Sequence, residues 1–322
     1  MAEDAPGVVA PSASADMDTR TVAIVLNWNG WPDTLRCLDS LAKLRPAPTV
    51  VVVDNASSDD SVEVIRREWP SIETIGLARN GGYAAGMNAG IRRARELSAD
   101  YVWALNNDVV LDPLAYRTAV EIMDAEPRVG VVGSGQATSE QPWIEARPYP
   151  TAARHEGRHD QPVVCEGHED HRNGHDADFV SGAALLIRVA TLVDVGSFNE
   201  DFFHYAEEVE LCERARLAGW SSVLACRSRV WHSRGASLSS VSPQATYYRV
   251  RNYLLLERLL HGHGVVRSIL TNPRFAQDCV QRSFASPRLV HAQSRAVLLG
   301  LLHARRGRTG RFDLVAPSSP NE

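Results

Sequence analysis

The chain has 322 residues, of which 44% are hydrophobic and 23% charged, with 22 glycines and 17 prolines. These proportions exclude a disordered, collagen-like or coiled-coil protein and are typical of a globular one. No apolar run approaches the roughly 20 residues that a membrane-spanning helix needs. Residues 1–19 are rich in Ala, Ser, Pro and Asp, so we predict a disordered tail there rather than a signal peptide.

The net charge of −5 is unevenly distributed. Residues 245–311 contain twelve arginines and only two acidic residues, Glu257 and Asp278, while Lys43 is the only lysine. A basic region on an acidic body is typical of contact with an anionic surface, either phospholipid or nucleic acid. The alternative is a set of solvated, arginine-rich helices.

The chain also carries scattered cysteines without paired spacing, namely Cys37, Cys165, Cys212, Cys226 and Cys279. This pattern predicts free thiols in a reducing compartment and argues against a zinc site or a disulfide framework. We therefore expect the protein to be cytoplasmic.

From residue 21 to 132, short apolar runs rich in β-branched residues alternate with helical periodicity. The runs predict strands at 21–26, 49–53, 72–76, 101–105 and 129–132. Helices are predicted from Pro32 and over 58–69, 83–97 and 112–125. This alternation predicts an α/β fold with a Rossmann-like, mostly parallel sheet and helices on both faces.

The pattern changes after residue 135. Residues 136–178 are polar and rich in proline and histidine, and we interpret them as a flexible loop on the acceptor side of the site. A strand at 179–188, a helix at 205–218 and short strands at 221–225 and 229–232 follow. Beyond Ser242 the pattern is helical and basic. We predict one domain over 20–240 and a C-terminal helical appendage over 241–322.

Polar residues follow four successive predicted strands, in Asn27-Trp28-Asn29-Gly30, Asp54-Asn55-Ala56-Ser57, Asn80-Gly81-Gly82 and Asn106-Asn107-Asp108. In parallel α/β sheets, ligands bind beyond the carboxyl ends of the strands. Glycines before a helix suit a diphosphate near Gly81 and Gly82, and Asp108 is well placed to hold a divalent cation. The sequence lacks Gly-x-Gly-x-x-Gly after the first strand and has no Walker motif, which argues against a dinucleotide-binding oxidoreductase and a P-loop protein.

Together with later segments, these motifs resemble glycosyltransferase family two, which contains inverting enzymes of the A-type fold, and above all its rhamnosyltransferase-like branch. The later segments are Ser181-Gly182-Ala183, Phe198-Asn199-Glu200, Glu207-Glu208-Val209-Glu210, Val230-Trp231-His232 and Arg251-Asn252. The resemblance extends over roughly residues 21–252. It implies that residues 20–240 bind the nucleotide-sugar and the acceptor.

The resemblance also implies roles for individual residues. It implies donor binding by Asn27, Asp54, Asn80, Gly82, Asn88 and Asn106. Asp108 and His232 would hold a divalent cation, Mg²⁺ or Mn²⁺, and Glu208 would be the catalytic base. From the residues of this cluster alone, a structural explanation is the better one: acidic groups favour the start of a helix, with Glu210 paired to Arg214. With the other motifs, we expect Glu208 to be catalytic and Glu210 structural.

The implied function is transfer of a sugar, such as rhamnose or another deoxyhexose, from a nucleoside-diphosphate donor, in cell-wall or polysaccharide biosynthesis. The acceptor would be a glycan, a glycolipid or a small molecule, and no nucleic acid is expected as a partner. The alternatives are a non-catalytic sugar-nucleotide-binding protein and a nucleotidyltransferase. The leucines at 254–260 lie beside Arg251 and Arg258, and those at 298–302 are followed by three arginines at 305, 306 and 308. They predict either peripheral contact with the inner face of the membrane, or packing on the catalytic domain or in a dimer.

Overall fold

The computed structural model describes residues 20–138, 141–144, 174–233, 242–284 and 288–314. The predicted tail at 1–19, most of the histidine-rich segment, Cys165 and the predicted boundary at residue 240 lie outside these ranges. Within them, no helix is both long and apolar enough to cross a membrane.

A single sheet forms the centre of the fold. Its strands are β1 Thr21–Asn27, β2 Thr49–Asp54, β3 Glu73–Gly76, β4 Tyr101–Asn106, β5 Val109–Leu111, β6 Val129–Thr138, β7 Gln141–Ile144, β8 His175–Ala177, β9 Ala184–Arg188 and β10 Ser221–His232. The spatial order is β3-β2-β1-β4-β9-β6-β10-β5, with β7 paired to β6 and β8 to β10. Strands β3, β2, β1 and β4 are parallel, β9 runs antiparallel between β4 and β6, and β6 pairs in parallel with β10.

Helices cover both faces of this sheet. They are α1 Trp31–Leu41, α2 Ser61–Glu68, α3 Gly82–Glu96, α4 Ala115–Ala125, α5 Val189–Val195 and α6 Glu207–Leu217, followed by α7 Pro243–His261, α8 Val265–Thr271, α9 Pro273–Ser283 and α10 Val290–Arg305. Successive side chains of β1 lie on opposite faces of the sheet. Val25 belongs to the apolar core that contains Leu38 of α1, and Ile24 belongs to the core that contains Met87 of α3. This is the alternation expected of a strand buried on both sides.

The predicted fold class is confirmed: the protein is α/β, with helices on both faces and a helical C-terminal region. The sheet is more mixed than predicted, because β9 enters it antiparallel. The two short strands predicted at 221–225 and 229–232 are one irregular strand, β10. The short strand β5, which pairs with the end of β10, was not predicted.

The C-terminal helices have an apolar core of their own, with Val250, Tyr253, Phe275 and Val297 among its members. Residues 254–256 of α7 are buried leucines, as the packing alternative predicted, whereas Leu298 on α10 is exposed. Leu255 and Leu256 of α7 also pack with Phe202 and with Val209 of α6, so the C-terminal helices contact the rest of the protein through a separate apolar cluster.

The prediction of free thiols holds for three of the cysteines, Cys37, Cys212 and Cys279. It is wrong for Cys226 in β10, which is disulfide-bonded. The spacing of the cysteines in the sequence did not predict this bond, because disulfide formation depends on the distance between Cα atoms in space rather than on separation in sequence.

Candidate functional site

The carboxyl ends of the parallel strands lie level with one another. Asn27 at the end of β1 pairs with Asp54 at the end of β2, and Leu26 pairs with Asn106 at the end of β4. Three of the predicted donor-binding residues therefore share one edge of the sheet, because parallel strands in register bring their ends together.

The Asp54 carboxylate is buried and is held in place by its neighbours. Its Oδ1 accepts hydrogen bonds from Asn27 Nδ2 at 2.7 Å and from the Ser57 hydroxyl at 2.6 Å, and its Oδ2 accepts one from the Ser57 N–H. Asn27 is itself fully buried, and its Oδ1 accepts a hydrogen bond from Thr34. Asn27 thus orients Asp54 and has no free surface with which to contact a ligand.

The N–H groups at the start of α3, where a diphosphate was predicted to bind, donate to acceptors within the protein. The Gly81 N–H donates to Asn55 Oδ1 at 3.1 Å, and the Gly82 N–H donates to Asn80 Oδ1 at 2.9 Å. The Tyr83 N–H donates to the Phe203 carbonyl at 2.7 Å. Asn80 therefore caps this turn, and no N–H group of the three is left for an anion.

Gly82 is closely packed in the structure. Its φ of +85° belongs to the left-handed region that favours glycine, and a Cβ there would clash with the Phe203 carbonyl oxygen. Phe203 belongs to residues 200–206, here called the pre-α6 loop. The glycine motif is thus packed directly against the loop that leads into α6.

The Asn88 side chain, to which the resemblance implies a donor-binding role, forms hydrogen bonds within the protein. Its Nδ2 donates to the Phe198 carbonyl and to Glu200 Oε1, each at 2.9 Å, and its Oδ1 accepts from the Phe198 N–H. The buried amide therefore joins α3 to residues 198–200 and has no free donor for a nucleotide. Donor binding by Asn88, which the resemblance implies, stays a prediction and would compete with these hydrogen bonds.

Asp108 and His232 are brought together as predicted. His232 Nε2 lies 3.1 Å from Asp108 Oδ1 and 3.3 Å from the Asn106 amide nitrogen, while Nδ1 lies 3.3 Å from Gln136 Oε1. An Nδ1–H donated to Gln136 leaves the Nε2 lone pair directed at Asp108 and Asn106. A lone pair beside a carboxylate oxygen is stabilised by a proton or a metal ion between them, so this donor set fits a divalent cation.

The described residues contain no group of three or more His, Cys, Asp or Glu side chains that could enclose a metal ion. A cation at Asp108 and His232 would therefore need further ligands. Mg²⁺ is commonly bound by one or two carboxylates together with substrate phosphates and water. The open donor set fits that mode of binding.

Glu208 lies at the start of α6, beside the Ser181-Gly182-Ala183 segment. A Cβ on Gly182 would lie 3.6 Å from both Glu208 Cδ and the Tyr83 hydroxyl oxygen, and that hydroxyl donates to the Gly182 carbonyl at 2.6 Å. Burial raises the pKa of Glu208, opposed by backbone hydrogen bonds and by the charge of Arg249. The result is a carboxylate of increased basicity next to a glycine.

The other two glutamates of the cluster are structurally distinct. Glu207 is buried, with an Oε2 that lacks a hydrogen-bond partner in the described structure, and burial and the charge of Glu208 hold its pKa well above its usual range. Glu210 forms an ion pair with Arg214 at 2.7 Å, as the spacing predicted. Glu208 is thus the partly exposed member of the three.

Hydrogen bonds join the end of β4 to the segment beside Glu208 and to the end of β1. The Asn106 N–H donates to the Ala183 carbonyl at 2.9 Å, so the end of β4 is bonded to the segment beside Glu208. Asn107 donates to the Gly30 carbonyl and to Thr34, and it reaches Asn27 at 3.4 Å. Sequence reasoning missed Gln136 and Arg249, which belong to no recognisable motif. It gave no role to Ser57 or Tyr83, although Ser57 is part of the motif that follows β2.

The chain is similar to known proteins in sequence and in fold. It is 26% identical, over 230 residues, to an N-acetylglucosaminyl-diphospho-decaprenol L-rhamnosyltransferase of Mycobacterium tuberculosis, with 62% of this chain and 70% of the relative covered. It is 32% identical to the low-salt glycan biosynthesis hexosyltransferase Agl10 of Haloferax volcanii, where the match covers 52% of each chain.

Two solved structures share the fold at low sequence identity. One is the mannosyltransferase PcManGT from Pyrobaculum calidifontis in complex with GDP-Man and Mn²⁺, at a TM-score of 0.55 and 15% identity, with 88% of this chain and 76% of that chain covered. The other is GalNAc-T7 with UDP, GalNAc and Mn²⁺, at a TM-score of 0.61 and 12% identity, with 91% of this chain and 57% of that chain covered.

The model of glycosyl transferase family 2 matches residues 22–193, which include β1 to β4 and the edge formed by Asp54 and Asp108. This match spans more than half of the chain. Together with the shared fold and the arrangement of polar groups at the strand ends, it shows that the chain belongs to glycosyltransferase family 2.

Proposed function

We propose that this glycosyltransferase moves rhamnose or another deoxyhexose from a nucleoside-diphosphate donor to a hydroxyl group of a lipid-linked or other glycan, with inversion. One observation carries the proposal. Asp54 and the Asp108–His232 pair lie at neighbouring strand ends that Asn27 and Asn107 join by hydrogen bonds. Glu208 lies beside Gly182, in the segment that accepts the Asn106 N–H. The similarity to a protein named as an L-rhamnosyltransferase acting on a diphospho-decaprenol supports the donor and acceptor classes.

Glu208 is the group proposed to activate the acceptor. A sugar hydroxyl has a pKa far above 7, so its proton must be taken up as the new bond forms. The acceptor oxygen bonds to the anomeric carbon while the bond from that carbon to the donor phosphate breaks, and the proton passes to Glu208. A raised pKa makes this carboxylate a stronger base as long as it stays ionised.

Asp108 and His232 are proposed to hold Mg²⁺ or Mn²⁺ together with the donor diphosphate. Such a cation neutralises charge on the departing phosphate. Gln136 fixes the His232 ring through Nδ1, and Asp54 is proposed to bind the nucleoside. The Mn²⁺ in the PcManGT and GalNAc-T7 structures supports a divalent cation.

Arg249 gives the acceptor side a positive charge. Its Cζ lies 4.5 Å from the Tyr205 ring centroid, and its buried Nε has no hydrogen-bond partner in the part of the chain that the structure describes. We propose that it attracts the diphosphate of the acceptor. Arg249→Gln should then raise KM for a diphosphate-linked acceptor and leave KM for a neutral glycan acceptor unchanged.

The decisive experiment compares Glu208→Gln with Glu121→Gln, a control on the exposed face of α4. Glu208→Gln should lower kcat by about 10²–10⁴-fold while a thermal shift with nucleoside diphosphates and Mn²⁺ persists. The control should retain activity. Unchanged transfer in Glu208→Gln would refute the base assignment. Release of pyrophosphate would identify a nucleotidyltransferase, and a retained anomeric configuration in the product would refute inversion.

Peripheral membrane contact through the C-terminal helices is a second part of the proposal. Helices α8 to α10 expose apolar side chains, namely Val266, Leu270, Val280, Phe284 and Leu298, among exposed arginines. Apolar area and positive charge together favour an anionic lipid surface. Sedimentation with anionic vesicles at low salt tests this contact, and equal recovery with neutral and anionic vesicles would refute it.

A further inference from the structure

The pre-α6 loop adopts an unusual backbone conformation. Phe203, with φ of 61° and ψ of −56°, is the central residue of a γ-turn in which the His204 N–H donates to the Phe202 carbonyl at 2.7 Å. Tyr205 and Ala206 also have positive φ, at 70° and 73°. A classic γ-turn is rare and strained, and residues other than glycine seldom adopt positive φ. Such a conformation persists only where the surroundings impose it.

Two adjacent residues of α7 contact this loop through its carbonyl groups. The Asn252 amide nitrogen lies 2.8 Å from the Phe202 carbonyl oxygen, 2.8 Å from that of His204 and 2.7 Å from that of Tyr205. Arg251 donates to the carbonyls of Phe202 and Asp201, at 2.9 and 3.2 Å. These contacts extend over the carbonyl groups of residues 201–205, beginning in the short helix Glu200–Phe202.

The pair is also fixed internally. Arg251 Nε donates to Asn252 Oδ1 at 2.8 Å, which determines the direction in which the amide presents its nitrogen. Both side chains are 0% exposed. The Arg251 guanidinium faces backbone carbonyls and the rings of Tyr247 and Tyr248, at 5.6 and 5.0 Å. Burying a cation among carbonyls is unfavourable unless its hydrogen bonds are well made.

On its other side, the loop is held by α3. The Phe203 carbonyl accepts the Tyr83 N–H, and Gly82 packs against the same carbonyl group. The loop therefore lies between α3 and α7, and each helix holds different carbonyls of it. Two residues after Ala206, the chain reaches Glu208.

We propose that Arg251 and Asn252 are positioning residues, which impose the strained conformation of the pre-α6 loop and thereby set the place of Glu208 relative to the acceptor. The C-terminal helical region is then part of the catalytic unit rather than an appendage. This inference rests on the proposed function, because it takes Glu208 as the base. Neither residue needs to touch the substrate.

Asn252→Ala tests the inference, with Asn272→Ala as the matched control. Asn272 is also a buried asparagine of the C-terminal helices, but it caps α9 and donates to the Tyr253 hydroxyl, away from the loop. Asn252→Ala should lower kcat by about 100-fold, the effect of a displacement of roughly 1 Å at a reacting group. Donor KM and the thermal shift with nucleoside diphosphate should stay within about threefold, because Asp54 and Asp108 lie on other elements.

The control should lose stability and keep kcat. Arg251→Lys retains the cation but lacks a guanidinium that spans two carbonyls. It should therefore lower kcat by about tenfold, again with little change in donor KM or in the thermal shift. If Asn252→Ala does not fold, Arg251→Lys decides the question. Equal kcat for the Asn252 and Asn272 variants, or for Arg251→Lys and the wild type, would overturn the inference. Failure of the proposed function would appear differently, as an absence of sugar transfer by the wild-type protein.

Discussion

Adding one methyl group at Gly82 should separate the effects of this residue on stability and on catalysis. In Gly82→Ala the new Cβ would clash with the Phe203 carbonyl oxygen and lie 2.7 Å from its carbon. Alanine at the φ of +85° costs about 1–2 kcal/mol. Overpacking against the backbone costs about 1–3 kcal/mol more, and loss of the hydrogen bond from the Tyr83 N–H to Phe203 costs about 1 kcal/mol.

Together these effects amount to about 3–6 kcal/mol, against a total stability of about 5–15 kcal/mol for a typical protein. The variant can relieve much of this cost by moving the pre-α6 loop away from α3. Because Glu208 follows that loop directly, a shift of roughly 1 Å should lower kcat by about 100-fold. Nucleoside diphosphate binding should change little.

The assay combines denaturant unfolding, steady-state transfer kinetics and thermal shift with nucleoside diphosphate. Gly76→Ala is the control, since no atom of the residues that the structure describes lies within 4 Å of a Cβ built there. Its stability should stay within about 0.5 kcal/mol of the wild type. If Gly82→Ala matched Gly76→Ala in both stability and kcat, the proposed packing between α3 and the loop would be refuted.

Three further predictions concern charge. The raised pKa of Glu207 means that the folded state holds this proton above pH 4.5, so the wild type loses stability as pH rises from 4.5 through the folded-state pKa. In Glu207→Gln, the free energy of unfolding should therefore fall less steeply over this range, with the contribution of Glu208 remaining. In Arg249→Gln, the acidic limb of kcat/KM should move to higher pH, because Arg249 lowers the pKa of Glu208. In Gln136→Leu, Mn²⁺ affinity measured by titration should fall about 10–100-fold, because His232 loses its Nδ1 partner.

Each of these predictions has a result that contradicts it. A pH dependence of stability unchanged by Glu207→Gln would show that this carboxyl does not titrate differently in the folded state. An acidic limb that stayed in place in Arg249→Gln, with Arg249→Lys as the charge-retaining control, would remove the electrostatic link to Glu208. Equal Mn²⁺ affinity in Gln136→Leu would show that Gln136 does not orient His232 for metal binding.

Local pattern was enough to predict the first half of the fold. β1 and β2 are short runs of β-branched residues, and helices with a clear apolar face follow each of them. The direction of β9 could not be read in the same way, because an apolar run such as Ala184–Arg188 has the same composition whether it pairs parallel or antiparallel. Its place between β4 and β6 is set by long-range pairing.

The site was predictable in position but not in the use of its amide groups. Carboxyl ends of parallel strands meet at one edge, so Asp54 and Asp108 were expected to lie near each other. The amide group of an asparagine, however, can form hydrogen bonds with a ligand or with the protein backbone equally well. Asn27 and Asn88 were assigned to the donor because the sequence does not reveal Thr34 or the Phe198 backbone as their partners.

The use of these amides by the protein itself explains how the site is organised. If Asn27 and Asn88 pointed into an open cleft, they would have to be desolvated and ordered each time a donor bound. Instead they are already bonded, and the groups held by such networks are Asp54 and, through Gln136, His232. Polar groups that are fixed in advance need little reorganisation as charge develops in the transition state. We therefore expect the buried amides to contribute to catalysis indirectly, because they hold in place the few groups proposed to contact the substrate.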